Sequence, residues 1–437
     1  MLHAGQLEVA APVAKRQAIL PALLAAAVAL LAALCLPAAA SAGTTKDLSP
    51  TPYMGWDTYL GFDGKINEAV ILEQASNLVT TGLEHDGYRM IWLDSGWWLG
   101  TRNAAGQITV SPTQWPHGLA WLTQTLHARG FKVGIYTDAG PVGCSGTDRG
   151  SYGHYQQDVD TFARWGFDAV KVDFCGGDDL RLQPESAYTQ FEDAIVHNSS
   201  HRPMILNICV YAQPGQVSSA FPSFANSAFS SYSWGFSIGT SWRTDTDVGS
   251  PTTGVTFADV LRNLDADATE PFAAGPGHWN DPDYLGPDLG MTDAQFRTQF
   301  SMWAMLAAPL MISDNLSTLS PASLATVSNK QMIAINQDRL GRQATLVPAA
   351  DTTVTPASSA GQVWLKPLEH GRYAVALLNR GSTTLKIETH TRSLKIPTAA
   401  KYSLANVWAG GSRTTTGAIS ATVPSDSTVV FVVSPVS

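Results

Sequence analysis

The sequence predicts an α/β fold, in which a (β/α)₈ barrel over residues 43–342 is followed by an antiparallel β-sandwich over residues 343–437. Short apolar segments alternate with amphipathic helical stretches between about residues 52 and 337. This alternation is typical of parallel strands joined by crossover helices. Beyond residue 343 the chain is rich in Thr, Val and Ser and alternates apolar with polar positions, which indicates antiparallel strands.

Three of the predicted barrel strands end on an aspartate, and a fourth contains a cysteine near its end. These strands are residues 88–94, 131–138, 167–173 and 204–210. Predicted helices between the strands are each followed by a glycine, which is a common helix stop signal. A doubly wound sheet is the alternative architecture. The length of the segment and the lack of a Gly-rich phosphate-binding loop favour the barrel.

The first 42 residues are predicted to be a secretory signal peptide. Lys15 and Arg16 precede an apolar segment over residues 18–36, which leads to the small residues of a cleavage site at Ala42. A membrane anchor is the alternative, because the apolar segment approaches the ~20 residues that span a bilayer. Cleavage predicts a secreted or periplasmic protein without membrane association. The sequence leaves open whether that protein forms a homo-oligomer.

Charge and cysteine content argue against nucleic acid as a partner and against a zinc site. The formal net charge is −9 and the chain has no basic run, which argues against nucleic acid as a partner. Three cysteines remain after the signal peptide, so one disulfide can form and one thiol is left over. Their spacing does not say which pair forms. The absence of Cys-x-x-Cys or Cys/His ligand spacing argues against a zinc site.

The strand-end aspartates are the candidate functional residues. Barrel enzymes carry their reactive side chains at the carboxyl ends of the strands, on one face, so Asp94, Asp138 and Asp173 are expected on one rim. A single aspartate in such a position is often only a turn former or a helix cap. Several acids on one rim repel each other, however, and this costs stability unless they are used.

Six segments of the predicted barrel resemble the motifs of glycoside hydrolase family 27, the family of α-galactosidases and α-N-acetylgalactosaminidases. The match runs in order from about Thr51 to Asp338, and as a set the motifs are highly specific. The six segments are residues 54–56, 134–138, 171–175, 241–247, 275–283 and 307–316. The resemblance implies a barrel followed by a sandwich, and hydrolysis of a terminal α-linked sugar from an oligosaccharide or glycoside. No cofactor or metal is implied, because carboxyl groups suffice for this reaction.

A retaining glycosidase needs two carboxyl groups about 5–5.5 Å apart, one to attack the sugar and one to act as acid and then base. The family's Lys-x-Asp-x-Cys segment implies that Asp173 is the nucleophile. Its Arg-x-x-x-Asp segment begins at Arg243 and implies that Asp247 is the acid/base. Asp245 is the alternative acid/base, because it would share a strand face with Asp247.

The resemblance also implies a set of sugar-binding residues and one disulfide. Lys171 is expected on the same strand face as Asp173, where its ammonium would keep that carboxylate ionised; a purely structural ion pair is the alternative. Family members bridge the cysteines that match Cys144 and Cys175, which would leave Cys209 free. For Trp56, ordinary core packing is the alternative to a sugar contact. The predicted binding set is Trp56, Asp94, Ser95, Tyr136, Lys171, Arg243, Asp283 and Tyr284.

Three positions depart from the galactosidase pattern. Ser95 stands where the family has the second of two acids that grip the 4- and 6-hydroxyls of galactose. Val210 replaces a Glu that helps to read the 2-hydroxyl, and Tyr284 replaces a Met. Because a site built around a hydroxyl rejects sugars that lack it, such changes alter specificity more than chemistry. We therefore expect weak activity on simple α-galactosides unless Tyr284 or a loop residue compensates.

The sequence thus predicts a secreted retaining α-glycosidase, with galactose as the default sugar. Three related specificities are alternatives: an α-N-acetylgalactosaminide, a β-L-arabinopyranoside, or an α-glucan from which isomaltose is released. A carbohydrate-binding relative without activity is a further alternative. Retention of both Asp173 and Asp247 argues against it, since a protein that only binds sugar has no use for an acid/base.

Overall fold

The computed structural model describes residues 48–98, 100–144, 146, 149–210 and 231–436. The predicted signal peptide lies outside these residues. Within the described part of the chain, no helix is long and apolar enough to cross a membrane.

Eight parallel strands form the barrel, and their neighbours follow chain order. Strand β1 also pairs with β8, and the ring closes beyond β7, where Leu285 bridges to Ile312. The strands are buried along nearly their whole length, which explains their continuous apolar sequences. The predicted barrel is confirmed. Its strands are β1 Met54–Asp57, β2 Met90–Leu93, β3 Lys132–Asp138, β4 Ala169–Asp173, β5 Ile205–Cys209, β6 Ser241–Arg243, β7 Trp279–Asp281 and β8 Leu310–Ile312.

The helices lie between these strands and after the last of them. Helix α4 ends as the sequence predicts, at Gly166, whose φ of 93° is a left-handed conformation that favours glycine. Helix α9 begins with a capping box between Thr292 and Gln295. The helices are α1 Tyr59–Phe62, α2 Glu68–Thr80, α3 Leu119–Ala128, α4 Tyr155–Trp165, α5 Cys175–Asp179, α6 Pro184–Val196, α7 Gly235–Ile238, α8 Phe257–Asp267, α9 Asp293–Leu306, α10 Pro321–Val327 and α11 Lys330–Asn336.

The C-terminal strands form two antiparallel sheets with a shared apolar core, which confirms the predicted sandwich. The larger sheet has the order β9-β11-β12-β17-β14-β15, and the smaller one has the order β10-β13-β16. The strands are β9 Thr345–Leu346, β10 Thr353–Thr355, β11 Gly361–Leu368, β12 Arg372–Asn379, β13 Leu385–His390, β14 Lys401–Asn406, β15 Ser412–Thr415, β16 Ala418–Val423 and β17 Ser427–Val436.

Helix α9 joins the sandwich to the barrel. The Thr298 hydroxyl donates a hydrogen bond to the Asp426 carbonyl at 3.0 Å. The indole N–H of Trp408 donates to the Ser301 hydroxyl at 3.0 Å, and the Arg297 guanidinium lies 5.2 Å from the centre of the Trp408 ring. Trp364 and Val430 of the sandwich belong to the same apolar cluster as the barrel residues, so the two domains share a core.

Candidate active site

The carboxyl ends of four neighbouring strands bring the predicted acids together. Asp138 and Asp173 are the last residues of β3 and β4, and Cys209 is the last residue of β5. The register pairs Asp138 with Asp173 and Asp173 with Cys209. Asp94 directly follows β2, and all four side chains are buried. The structure therefore places these residues on one rim, as the sequence predicts.

Asp138 anchors the loops of this rim. Its Oδ1 accepts a hydrogen bond from the backbone N–H of Gly140 at 2.6 Å, and its Oδ2 accepts one from Gly176 at 3.4 Å. Burial raises the pKa of Asp138 to about 7, and the nearby Asp173 carboxylate acts in the same direction. Because both carboxylate oxygens hold backbone, Asp138 has a structural role.

Asp173 lies against the predicted disulfide. Cys144 and Cys175 are bonded to each other, as the family resemblance implies, and the Cys144 Sγ lies 3.2 Å from the Asp173 Oδ2. A disulfide sulfur carries no hydrogen, so this is a packing contact and not a hydrogen bond. Burial raises the pKa of Asp173, while the ammonium of Lys171 lowers it.

Lys171, Asp94 and Tyr284 form a closed triangle of polar contacts. The Lys171 Nζ lies 2.8 Å from the Asp94 Oδ2 and donates to the Tyr284 hydroxyl at 3.0 Å. The Tyr284 hydroxyl donates to the same Asp94 oxygen at 3.0 Å. The ammonium therefore has Asp94, and not Asp173, as its direct carboxylate partner. The backbone N–H of Ser95 donates to the other Asp94 oxygen at 2.7 Å, so both Asp94 oxygens have protein donors.

Aromatic rings surround the Lys171 ammonium. Its Nζ lies 5.0 Å from the ring centre of Tyr284, 5.7 Å from that of Tyr136 and 5.8 Å from that of Tyr59.

Trp56, which the family resemblance places among the sugar-binding residues, does not lie among these rings. It is fully buried, and its indole N–H donates to the Asp314 carbonyl at 2.7 Å, which is the arrangement of a core residue.

Arg243 holds two carboxylates of different exposure. Its Nη2 lies 2.6 Å from the Asp247 Oδ1 and 2.9 Å from the Asp283 Oδ2. The Asp247 side chain is 40% exposed, whereas the side chains of Arg243 and Asp283 are each 2% exposed. Burial raises the pKa of Asp283 to about 7, against the opposing effect of Arg243. Of the two carboxylates on this guanidinium, Asp247 is the one that reaches solvent.

Asp245 points away from this group. Strand β6 ends at Arg243, so Asp245 and Asp247 both follow the strand. The expectation that they share a strand face is therefore wrong. The Asp245 Oδ1 accepts from the backbone N–H of Thr246 at 2.7 Å, and its Oδ2 lies 3.5 Å from the Nε of Arg262 on α8. The geometry therefore favours Asp247 over Asp245 as the acid/base.

Asp57 is a buried acid that the sequence reasoning missed. It is the last residue of β1, and its Oδ1 accepts from the Tyr59 backbone N–H at 2.7 Å and the Ser313 hydroxyl at 3.3 Å. Burial, aided by the Asp94 charge, raises the pKa of Asp57 well above its usual range, which favours its uncharged form. The same signal that identified Asp94, an acid at the end of an apolar strand, is present at Asp57.

One group of the described residues has ligand atoms close enough for a metal ion. The ligand atoms of Asp138, Cys144 and Cys175 lie within 4.8 Å of one another. Both sulfurs belong to the disulfide, so they cannot serve as thiolate ligands, and these residues do not fit a metal site.

Comparisons with known proteins agree with this architecture. A family model described as "Alpha galactosidase A" matches residues 54–338, and one described as "Alpha galactosidase C-terminal beta sandwich domain" matches residues 358–433. Alpha-galactosidase A from Cellvibrio japonicus is 34% identical over 93% of this chain and 97% of its own length. Alpha-galactosidase from Oryza sativa subsp. japonica is 32% identical over 89% of this chain and 86% of its own length.

Solved structures share the fold. Alpha-galactosidase I from Mortierella vinacea superposes with a TM-score of 0.77 at 23% identity, over 89% of this chain and 98% of its own. A GH27 β-L-arabinopyranosidase from Geobacillus stearothermophilus superposes with a TM-score of 0.74 at 16% identity, over 90% and 98%.

Proposed function

Because this chain belongs to glycoside hydrolase family 27 and is a glycoside hydrolase, we propose that it is a secreted, retaining exo-glycosidase that removes terminal α-linked galactose. The observation that carries the proposal is the pair of carboxylates with different surroundings on one barrel rim. Asp173 is buried beside Lys171, and Asp247 is half exposed on Arg243. Two acids with different environments are what a nucleophile and an acid/base require.

In the proposed reaction, the Asp173 carboxylate attacks the anomeric carbon of the terminal sugar. The bond from that carbon to the leaving oxygen breaks as Asp247 donates its proton to this oxygen. The product is a glycosyl ester on Asp173. Asp247 then takes a proton from a water molecule, whose oxygen attacks the anomeric carbon and releases the Asp173 carboxylate. Two displacements return the sugar with its original configuration.

Arg243 supports both roles of Asp247 in this scheme. A guanidinium stays charged throughout the reaction, so it fixes the position of the Asp247 carboxylate, 2.6 Å away. Its second carboxylate, Asp283, is also held by the Val248 backbone N–H at 2.7 Å. Asp283 thereby holds the same Arg243 nitrogen that contacts Asp247.

Secretion is supported by the N-terminal sequence and by the disulfide. A positively charged segment, an apolar segment and small residues up to Ala42 form a signal-peptide pattern. The bond between Cys144 and Cys175 is of the kind that persists in oxidising compartments.

Release assays on chromogenic glycosides test the proposed activity. The panel contains aryl α-galactoside, α-N-acetylgalactosaminide, β-L-arabinopyranoside and isomaltoside, with the opposite anomer of each as a control. We expect hydrolysis of the α-galactoside and no hydrolysis of its β-anomer. If the protein hydrolyses no member of the panel, the proposal is overturned in favour of a protein that only binds sugar.

A β-L-arabinopyranosidase is the second candidate, and the triangle around Lys171 favours it. The Asp94 Oδ2 already accepts from Lys171 and from Tyr284, which leaves less capacity for a sugar hydroxyl. A β-L-arabinopyranoside has the ring configuration of an α-galactoside but lacks the hydroxymethyl group. A pocket in which two protein donors already occupy the Asp94 Oδ2 is therefore better matched to this smaller sugar.

Replacing Tyr284 by the methionine typical of the family is expected to raise kcat/KM for an aryl α-galactoside by about 10-fold or more. The change removes one donor from the Asp94 Oδ2, and a sugar hydroxyl that bonds to this charged oxygen then stabilises the complex. The measurement is kcat/KM of both proteins on the same α-galactoside and on the corresponding β-L-arabinopyranoside.

The Tyr284→Phe variant is the matched control, because it keeps the ring and removes only the hydroxyl. A gain in both variants assigns the effect to the hydroxyl, and a gain in the methionine variant alone assigns it to the ring. Lower galactosidase activity in both variants would show that the Tyr284 hydroxyl itself serves recognition.

A further inference from the structure

Cys209 lies between the two halves of the candidate site. It ends β5 directly beside Asp173 in the register of the barrel, and its side chain is buried. The Cys209 Sγ accepts a hydrogen bond from the Arg243 Nη1 at 3.8 Å. The same guanidinium holds Asp247 through its Nη2. One thiol therefore links the strand of the proposed nucleophile to the arginine of the proposed acid/base.

The direction of the thiol hydrogen follows from its neighbours. Because an Arg243 N–H points at the sulfur, the S–H hydrogen is directed elsewhere. Asp173 and Cys209 are paired residues at the ends of neighbouring parallel strands, so their side chains lie beside each other on the same face. The Asp173 carboxylate is an acceptor only. Burial and the Asp173 charge both raise the pKa of the Cys209 thiol, so the thiol keeps its hydrogen and remains a neutral donor.

We propose that Cys209 is a positioning residue for the nucleophile, in which the thiol donates a hydrogen bond to the Asp173 carboxylate and fixes its orientation toward the anomeric carbon. This inference rests on the proposed glycosidase function. A hydrogen bond to the carboxylate stabilises its ionised form, which is the form that attacks. Backbone register and the contact with Arg243 hold the thiol in place.

Other groups around Asp173 also influence its ionisation, and the test must separate them from Cys209. They comprise cationic, acidic and phenolic side chains from the neighbouring strands, from helix α6 and from the loop after β6. The groups are Lys171 on β4, Asp94 after β2, Tyr136 and Asp138 on β3, Tyr188 on α6 and Asp247 after β6. None of these groups is substituted in the Cys209 variants, but the alanine and valine variants also lose the contact with the Arg243 guanidinium. An effect through Arg243 on Asp247 would move the basic limb of the pH profile, whereas an effect on Asp173 moves the acid limb, so the acid limb separates the two.

The test compares Cys209→Ala, which removes the donor, with Cys209→Ser, which retains one. We expect the alanine variant to lose about 10- to 100-fold in kcat/KM, as for the loss of a hydrogen bond to a charged group. The acid limb of its pH profile should move to higher pH by about 1 unit, because Asp173 is then harder to ionise. The serine variant should stay within about threefold of the parent, with the parental acid limb.

Two further variants control for packing. Cys209→Val fills the space of the thiol without providing a donor, and it should show the same loss in kcat/KM and the same shift of the acid limb as the alanine variant. It replaces the alanine variant in the comparison if that variant folds poorly. Ile208→Val removes a buried methyl group from the opposite face of the same strand, and it should lower Tm without moving the acid limb.

The two levels of the proposal fail in different ways. A parent protein that hydrolyses no glycoside of the panel contradicts the proposed function. An active parent whose alanine and valine variants keep the parental kcat/KM and acid limb contradicts the role of Cys209 alone. Equal losses in the serine and alanine variants would also overturn it, because they would assign Cys209 a packing role.

Discussion

Replacing Asp173 by asparagine is expected to abolish glycoside hydrolysis, with a loss in kcat on the order of 10⁴-fold or more, as for removal of other enzymatic nucleophiles. The amide cannot form the glycosyl ester. The fold should remain intact, because burial raises the pKa of Asp173. A carboxyl group whose pKa is higher in the folded than in the unfolded state stabilises the fold at pH values below its unfolded pKa. This contribution is lost as the pH rises through the folded pKa. At neutral pH, a neutral amide should therefore leave Tm unchanged or higher.

The measurement is kcat on an activated aryl glycoside, together with Tm from thermal unfolding. Asp245→Asn is the matched control, since Asp245 is also a buried aspartate of the barrel but faces Arg262 on α8. It should retain most of the activity. Near-parental turnover by the Asp173→Asn protein, with mass spectrometry excluding deamidation back to aspartate, would remove Asp173 from the nucleophile role.

The Asp247→Ala variant is expected to lose activity in proportion to the need for protonation of the leaving group. Glycosides with poor leaving groups should lose about 10²–10⁴-fold in kcat/KM, whereas an activated aryl glycoside should lose far less in its first step. Azide needs no general base, so it should restore the second step. The glycosyl azide formed should have the anomeric configuration of the substrate.

A series of aryl glycosides with leaving groups of increasing pKa measures this dependence, and NMR gives the configuration of the azide product. The corresponding Asp245→Ala protein serves as the comparison, because the two aspartates are separated by a single residue. A uniform loss across the series in the Asp247 variant, with a graded loss in the Asp245 variant, would reverse the assignment.

The barrel and the rim that carries the candidate acids could be predicted from the sequence because both depend on local patterns. Continuous apolar strands that end on Asp94, Asp138 and Asp173 place these side chains at one end of a parallel barrel. The structure confirms this placement. The disulfide could be assigned only through the family resemblance, since spacing alone did not distinguish the three cysteines.

Partners chosen by long-range packing could not be predicted. Lys171 and Tyr284 are 113 residues apart, and only the closed barrel brings both to the same Asp94 oxygen. Strand periodicity predicts a shared face for Lys171 and Asp173, but it does not say which carboxylate the flexible lysine side chain reaches. The expected shared strand face of Asp245 and Asp247 is wrong for a different reason. Strand β6 ends at Arg243, so the alternation of strand faces does not apply to these two residues.

Identification of the residue that becomes glycosylated tests the central claim most directly. A 5-fluoroglycosyl fluoride of the hydrolysed sugar slows release of the glycosyl-enzyme, and proteolysis with tandem mass spectrometry then locates the attached sugar. The proposed mechanism predicts attachment to Asp173, in a segment that includes Lys171. The extent of labelling is compared with the loss of activity, so that only labelling that inactivates the protein is counted. Such labelling on Asp94, Asp247 or any other side chain would contradict the mechanism.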